Sequence, residues 1–241
     1  MVNDLEKSNK IHTTGSILNS ATQKLLEGLT GIASSKREDL TLSIGFMLQK
    51  LRAGEFLSQL SREWEKLKEK GRIKDDDLKS DQQKDCLQGI LDFLEEDKPD
   101  KERFELLKKL FFLSSMQKSF PEESFLPSQF MKLGRILSTV EIKIVFACFR
   151  LSSTDNANRP IYREINDPLS WAKAVAKEAT LQYSELVLSF EEELIKKGLL
   201  SDRVHHDRSG VVVTPYFRLT QMGFDFCQFV SSYDSCRMNE S

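Results

Sequence analysis

Apolar residues recur at helical spacing along most of this chain, and the intervals between the repeats divide it into successive helices. Ile17, Ala21, Leu25, Leu29 and Ile32 form one stripe, opposite Asn19, Gln23, Glu27 and Thr30. This predicts a core helix after a polar tail over residues 1–15; Lys24 is nearly alone among basic groups on the polar face, where a membrane-surface helix recruits several. Ser35-Lys-Arg-Glu38 is a capping box. The helix it opens carries Leu40, Ile44, Met47, Leu48, Leu51, Leu57, Leu60, Trp64 and Leu67 on one face and stops at Lys70-Gly71. Gly45 and Gly54 interrupt it, each costing about 1 kcal/mol against alanine.

The charged stretch Arg72–Asp85 separates that helix from the next. Its run Asp75-Asp76-Asp77 lacks the glycine turn and distal glutamate of a calcium loop and reads as a solvated helix start. Cys86, Leu87, Ile90, Leu91 and Leu94 then point inward, and Pro99 is expected in the first turn of a further helix. In that helix Phe104, Leu107 and Phe111 make one stripe, and Leu106, Leu110 and Leu113 a second. A helix apolar on two sides belongs at the centre of a bundle. Pro121 and Pro127 bracket a connection, and residues 128–137 read as a linking helix.

From Ser138 the pattern changes. Ser138-Thr-Val-Glu141 is a second capping box, opening a helix with Val140, Ile144, Val145 and Cys148 inward. A polar loop spans Thr154–Arg159. Pro168 starts a short helix with Trp171, Ala174, Val175 and Ala179 inward. Gln182–Gly198 is the next helix, with Tyr183, Val187, Phe190 and Leu194 on its apolar side, Leu186 beside them and Gly198 as its stop. Leu199–Val204 and Val211–Phe217 are predicted strands, joined through His205-His206-Asp207-Arg208-Ser209-Gly210. A closing helix follows, with Met222, Phe226 and Phe229 inward.

The run Glu193-Leu-Ile-Lys-Lys-Gly-Leu-Leu200, the predicted hairpin, Leu219-Thr220 and Gly223 together resemble the closing half of winged-helix domains of the MarR type. A similar ending occurs in bacterial abortive-infection proteins of the Abi-alpha type. The resemblance covers only about the last hundred residues, roughly one domain. It implies a fold, and, for the second family, a setting in defence against phage. The expected fold class is therefore mainly α: a helical bundle over 16–130, a winged-helix-like α+β domain over 138–232, and a tail over 233–241.

Charge narrows the function. The 241 residues hold 35 Lys and Arg against 37 Asp and Glu. From Ser138 onward there are 12 basic and 14 acidic residues, which leaves 23 of each upstream, so neither half carries the excess of cations typical of a protein that holds a phosphate backbone. The outward face of the Gln182–Gly198 helix, where a winged helix would read bases, presents Gln182, Glu185, Ser189, Glu192, Glu193 and Lys196. Carboxylates there oppose a polyanion, so Glu185, Ser189, Glu192 and Lys196 are read as protein-binding. Lys197, Arg203, Arg208 and Arg218 are the candidates for contact between the hairpin and DNA.

Catalytic patterns are sparse. No phosphate-cradling glycine loop and no glycine-flanked serine occurs. Neighbouring residues on a strand point to opposite faces, so His205 and His206 are not a natural metal pair. The motif Glu141-Ile-Lys143 before Ile-Val-Phe resembles the core of restriction-type nucleases, where Asp92 or Asp100 would complete a metal site; the capping box instead favours a helix. Cys86, Cys148, Cys227 and Cys236 show no metal-like spacing, and three lie in apolar helical patterns, which fits a reducing, cytoplasmic location.

No stretch approaches the ~20 apolar residues of a membrane span, and the first residues lack an export-signal pattern. The expectation is a non-catalytic accessory or regulatory subunit with no cofactor, metal or small-molecule substrate, which binds a protein partner or itself. The alternatives are a dimeric DNA-binding regulator and a metal-dependent nuclease using Glu141 and Lys143.

Overall fold

Asp100 accepts a hydrogen bond from the backbone N–H of Arg103 at 2.8 Å and so starts the helix on which the first half of the protein is built. In the computed structural model, residues 51–73, 81–95, 99–116, 126–153, 167–202, 205–207, 210–212 and 216–238 are described. The expectations for the first fifty residues, for Asp75-Asp76-Asp77, for Pro121 and for the Thr154–Arg159 loop lie outside them. The described residues are mainly helical, and the chain divides between Arg135 and Ile136 into two compact units.

The first unit contains α1 (Leu51–Glu69), α2 (Asp81–Glu95), α3 (Lys101–Ser115) and nearly all of α4 (Leu126–Ile136). Helix α3 packs on both α1 and α2, and it buries Phe104, Leu106, Leu107, Leu110, Phe111, Phe112 and Leu113, so both predicted stripes lie in the core. Pro99 precedes the cap instead of occupying the first turn, because Asp100 supplies the capping carboxylate that proline cannot. Phe56 stacks on Phe104 with ring centres 4.3 Å apart, and the Trp64 ring lies 5.9 Å from that of Phe111.

Helix α4 fits closely because a glycine lies on each side of its contacts, Gly89 on α2 and Gly134 on α4 itself. A Cβ on Gly89 would come within 2.8 Å of Met131 Cγ, and one on Gly134 within 3.0 Å of Leu110 Cδ1. Arg135 reaches Asp92 at 2.9 Å, and its carbonyl accepts from Arg103 at 2.7 Å. Helix α1 ends on Gly71 at φ +65°, with Arg72 N–H donating to Leu67 O and Gly71 N–H to Lys68 O. This is the pair of hydrogen bonds of a Schellman cap, which favours glycine in its left-handed position.

The second unit is organised around α5 (Thr139–Ser153), which packs against α6 (Pro168–Glu178), α7 (Ser184–Lys196), a 3-10 turn (Tyr216–Arg218) and α8 (Gln221–Met238). Ile144, Val145, Ala147 and Cys148 of α5 meet a core formed with Trp171, Val175, Val187, Leu194, Phe226 and Val230. Ser138 and Glu141 make the predicted capping box: Ser138 N–H donates to Glu141 Oε2 at 2.8 Å, and Glu141 N–H to Ser138 Oγ at 3.3 Å. Helix α7 stops at Gly198, φ +73°, in a second Schellman cap closed by Leu199 N–H to Leu194 O.

Two short strands, β1 (His205–Asp207) and β2 (Gly210–Val212), pair antiparallel with His206 opposite Val211. They lie further from the helices than the predicted strands 199–204 and 211–217. Leu199 and Leu200 are drawn into the core, where Leu200 bridges Leu219, and Phe217 turns left-handed in the 3-10 turn. Burial of these apolar residues overrides their strand propensity. Helix α8 continues through Met238 with Tyr233 buried, so helix persists into the expected tail. Met222, expected inside, is 42% exposed beside Gly198.

Candidate functional site

The outer face of α7 takes its orientation from a small number of inward contacts. Val187 and Leu194 are the buried residues of this helix; Glu191, spaced four from the first and three from the second, lies on the same side. Glu191 Oε1 accepts from Arg218 Nη1 at 2.7 Å. Arg218 Nη2 donates to the Ser201 carbonyl at 2.6 Å, and the guanidinium lies over the Trp171 ring at 4.5 Å. The Arg218 carbonyl in turn accepts from Ser201 N–H at 2.9 Å. The arginine side chain is fully buried, and every one of these partners belongs to the second unit.

A second ion pair holds the C-terminal end of α7. Lys197, one-fifth exposed, pairs with Glu141, whose other oxygen is engaged by the Ser138 cap. Burial pushes the Glu141 carboxyl up, but the hydrogen bonds from Lys197 and Ser138 outweigh it and hold the carboxyl below its ordinary value. Thr220 fixes the base of the hairpin: it donates to Gly198 O at 2.6 Å and caps α8 by accepting from Gly223 N–H at 3.0 Å.

These contacts correct the candidate list for DNA. Arg218 is inside the unit, because Glu191 on the buried side of α7 needs a cation. Lys197 is directed back to Glu141. Arg203 and Arg208 lie outside the described residues. The nuclease motif is helical, as the capping box required: Glu141 caps α5, and Lys143 lies two residues beyond it on the same helix. Asp92 is bound to Arg135, and Asp100 caps α3. Among the described residues no three of His, Cys, Asp and Glu gather as a metal site, and no helix is long and apolar enough to cross a membrane.

What remains outward on α7 is acidic with an apolar flank. Gln182, Glu185, Ser189, Glu192, Glu193 and Lys196 are all exposed. Lys196 bonds Glu192 at 2.9 Å and Glu193 at 3.1 Å, and these carboxylates hold its ammonium above its ordinary value, Glu192 most strongly. Ser189 Oγ donates to the Leu186 carbonyl at 2.8 Å. Tyr183 and Leu186 are 57% and 38% exposed, and Phe190 is half-buried. Tyr183 was expected inward; it occupies the cap position before the first turn, so its ring projects past the end of the packed stripe. The face therefore sets carboxylates and apolar area side by side.

No protein-family model, curated protein or solved structure matches the chain.

Proposed function

We propose that this protein is a non-catalytic interaction subunit, accessory or regulatory to a larger assembly, whose winged-helix-like second unit docks on another protein through the outer face of α7. The observation that carries the proposal is the disposition of charge around that helix. Arg218 and Lys197 are consumed by Glu191 and Glu141, while Glu185, Glu192 and Glu193 face outward with Lys196 already shared between two of them. A surface of this sign repels phosphates and loses the counterion-release gain that drives DNA association. Winged-helix-like architecture is supported by the order of elements: α7, the Gly198 stop, the β1–β2 pair, the Leu200–Leu219 bridge and α8.

The test is a comparison of two binding assays on one pair of proteins, wild type and Glu185→Lys/Glu192→Lys. Protein docking requires that a partner co-purifying with wild type at fixed stoichiometry be lost from the variant, and that neither protein shift duplex DNA in 0.1 M salt. A salt-sensitive DNA shift by wild type would replace this reading with the regulator alternative.

A further inference from the structure

The outer side of α7, with its cap residue Tyr183 and half-buried Phe190, falls into two adjacent rows, and together they specify an occupant. Tyr183, Leu186 and Phe190, spaced three and four apart, form an apolar seam along one side of the exposed surface, closed at its far end by Glu193. Glu185, Ser189, Glu192 and Lys196, spaced four, three and four apart, form the polar row beside it. A seam about two turns long, bordered by carboxylates, has the spacing of anchors by which one amphipathic helix packs along another. Resting on the docking reading above, we infer that this face receives a basic amphipathic helix of a different protein, with its apolar residues on Leu186 and Phe190 and its lysines or arginines against Glu185, Glu192 and Glu193.

A second copy of this chain is a poorer occupant. In an isologous pair the face meets itself. Two copies would then gather six such glutamates around two lysines, and each lysine is already held by Glu192 and Glu193 of its own helix. Juxtaposed like charges disfavour that pairing.

Three peptides of about eighteen residues, or five helical turns, test the inference against the full chain by fluorescence anisotropy. They share one leucine seam at helical spacing and differ only in its flanks, which are lysine, serine or glutamate. Three exposed charge pairs predict that the lysine-flanked peptide binds about tenfold more tightly than the serine-flanked one. The glutamate-flanked peptide should bind most weakly. The order should reverse on Glu185→Lys/Glu192→Lys/Glu193→Lys, and all three should weaken on Leu186→Ser.

Equal binding of the three peptides, or an order unchanged by the charge reversal, overturns the inference. So does a concentration-dependent dimer that Leu186→Ser dissolves; that result keeps protein docking and replaces the occupant with a second copy. A duplex-DNA shift that Lys196→Glu abolishes overturns both the inference and the reading beneath it.

Discussion

Arg218 and Glu191 meet at 2.7 Å inside the second unit, the arginine wholly buried and the glutamate nearly so. The pair joins the end of the hairpin segment to the inner side of α7, and its geometry explains two neighbouring features. Phe217 and Arg218 both take left-handed backbone angles, φ 51° and 73°, which cost about 1–3 kcal/mol each for residues with side chains. They hold there because the guanidinium is fixed by three elements at once: Glu191 on α7, the Ser201 carbonyl and the Trp171 ring on α6. A cation that a linear reading assigns to a DNA-contacting surface is instead a polar tie within the second unit.

Replacing Arg218 with methionine leaves Glu191 charged and without its guanidinium, a loss of about 3 kcal/mol from the second unit. Adding Glu191→Gln should restore part of it, because the stranded charge is removed. The protein has two tryptophans, Trp64 in the first unit and Trp171 in the second. Urea denaturation followed by fluorescence in a Trp64→Phe background therefore reports the second unit alone. A cost below about 0.5 kcal/mol, the range of ordinary surface substitutions, would show that the pair is dispensable.

Glu141 gives the second unit an acid-side dependence. Its folded carboxyl titrates below its ordinary value of 4.5, so its pairing adds stability that is present above pH 4.5 and is lost as pH falls through the folded value. Glu141→Gln should be less stable than wild type at pH 7, and the difference should shrink as pH is lowered from 4.5 towards 3. Denaturation midpoints over that range check it; a gap that widens on acidification contradicts the sign.

Gly223 lies against the backbone of the preceding segment. A Cβ there would strike the Leu199 carbonyl, which itself accepts from Thr220 N–H at 3.0 Å, so the hairpin base and the first turn of α8 cannot both stay in place. Gly223→Ala should cost about 2 kcal/mol, on the scale of overpacking. Gly198→Ala should cost about 1 kcal/mol, for its φ of +73°. The same fluorescence assay ranks them, and an alanine at 223 that is tolerated better than one at 198 would contradict the packing described.

Cys86, Cys148 and Cys227 should be inert in the folded chain. Burial pushes Cys86 up to about 11 and Cys148 up to about 12, and it drives Cys227 well above its ordinary value. In a Cys236→Ser background, modification by a chromogenic disulfide reagent at pH 8 should follow the unfolding of each unit. Fast labelling in the absence of denaturant would contradict that burial.

Much of this was legible in the residues themselves. The Ser138–Glu141 box, the Gly71 and Gly198 stops and the two-sided α3 follow from local spacing, because caps and stripes are set by neighbours three and four apart. The outward row of α7 was legible for the same reason. Glu191 left a readable trace too, a carboxylate on the Val187–Leu194 stripe that had to find a cation. Its partner did not: Arg218 is twenty-seven positions away in sequence, and nothing local distinguishes it from Arg203 or Arg208. The strand positions were misread because Leu199, Leu200 and Phe217 are apolar for the core and not for a sheet. The abundance of burial in α3 likewise concealed Lys108, which lies inside on Glu63 and Glu105, each at 2.8 Å.

The most direct test of docking through α7 is a photo-crosslinker placed at Ser189, in the middle of the exposed face, and activated in the cells that make this protein. The account predicts an adduct with one heterologous protein, lost when Glu185 and Glu192 are changed to lysine and absent when the crosslinker is moved to the exposed Lys173 of α6. An adduct with nucleic acid, or a yield at Ser189 no greater than at Lys173, would contradict it.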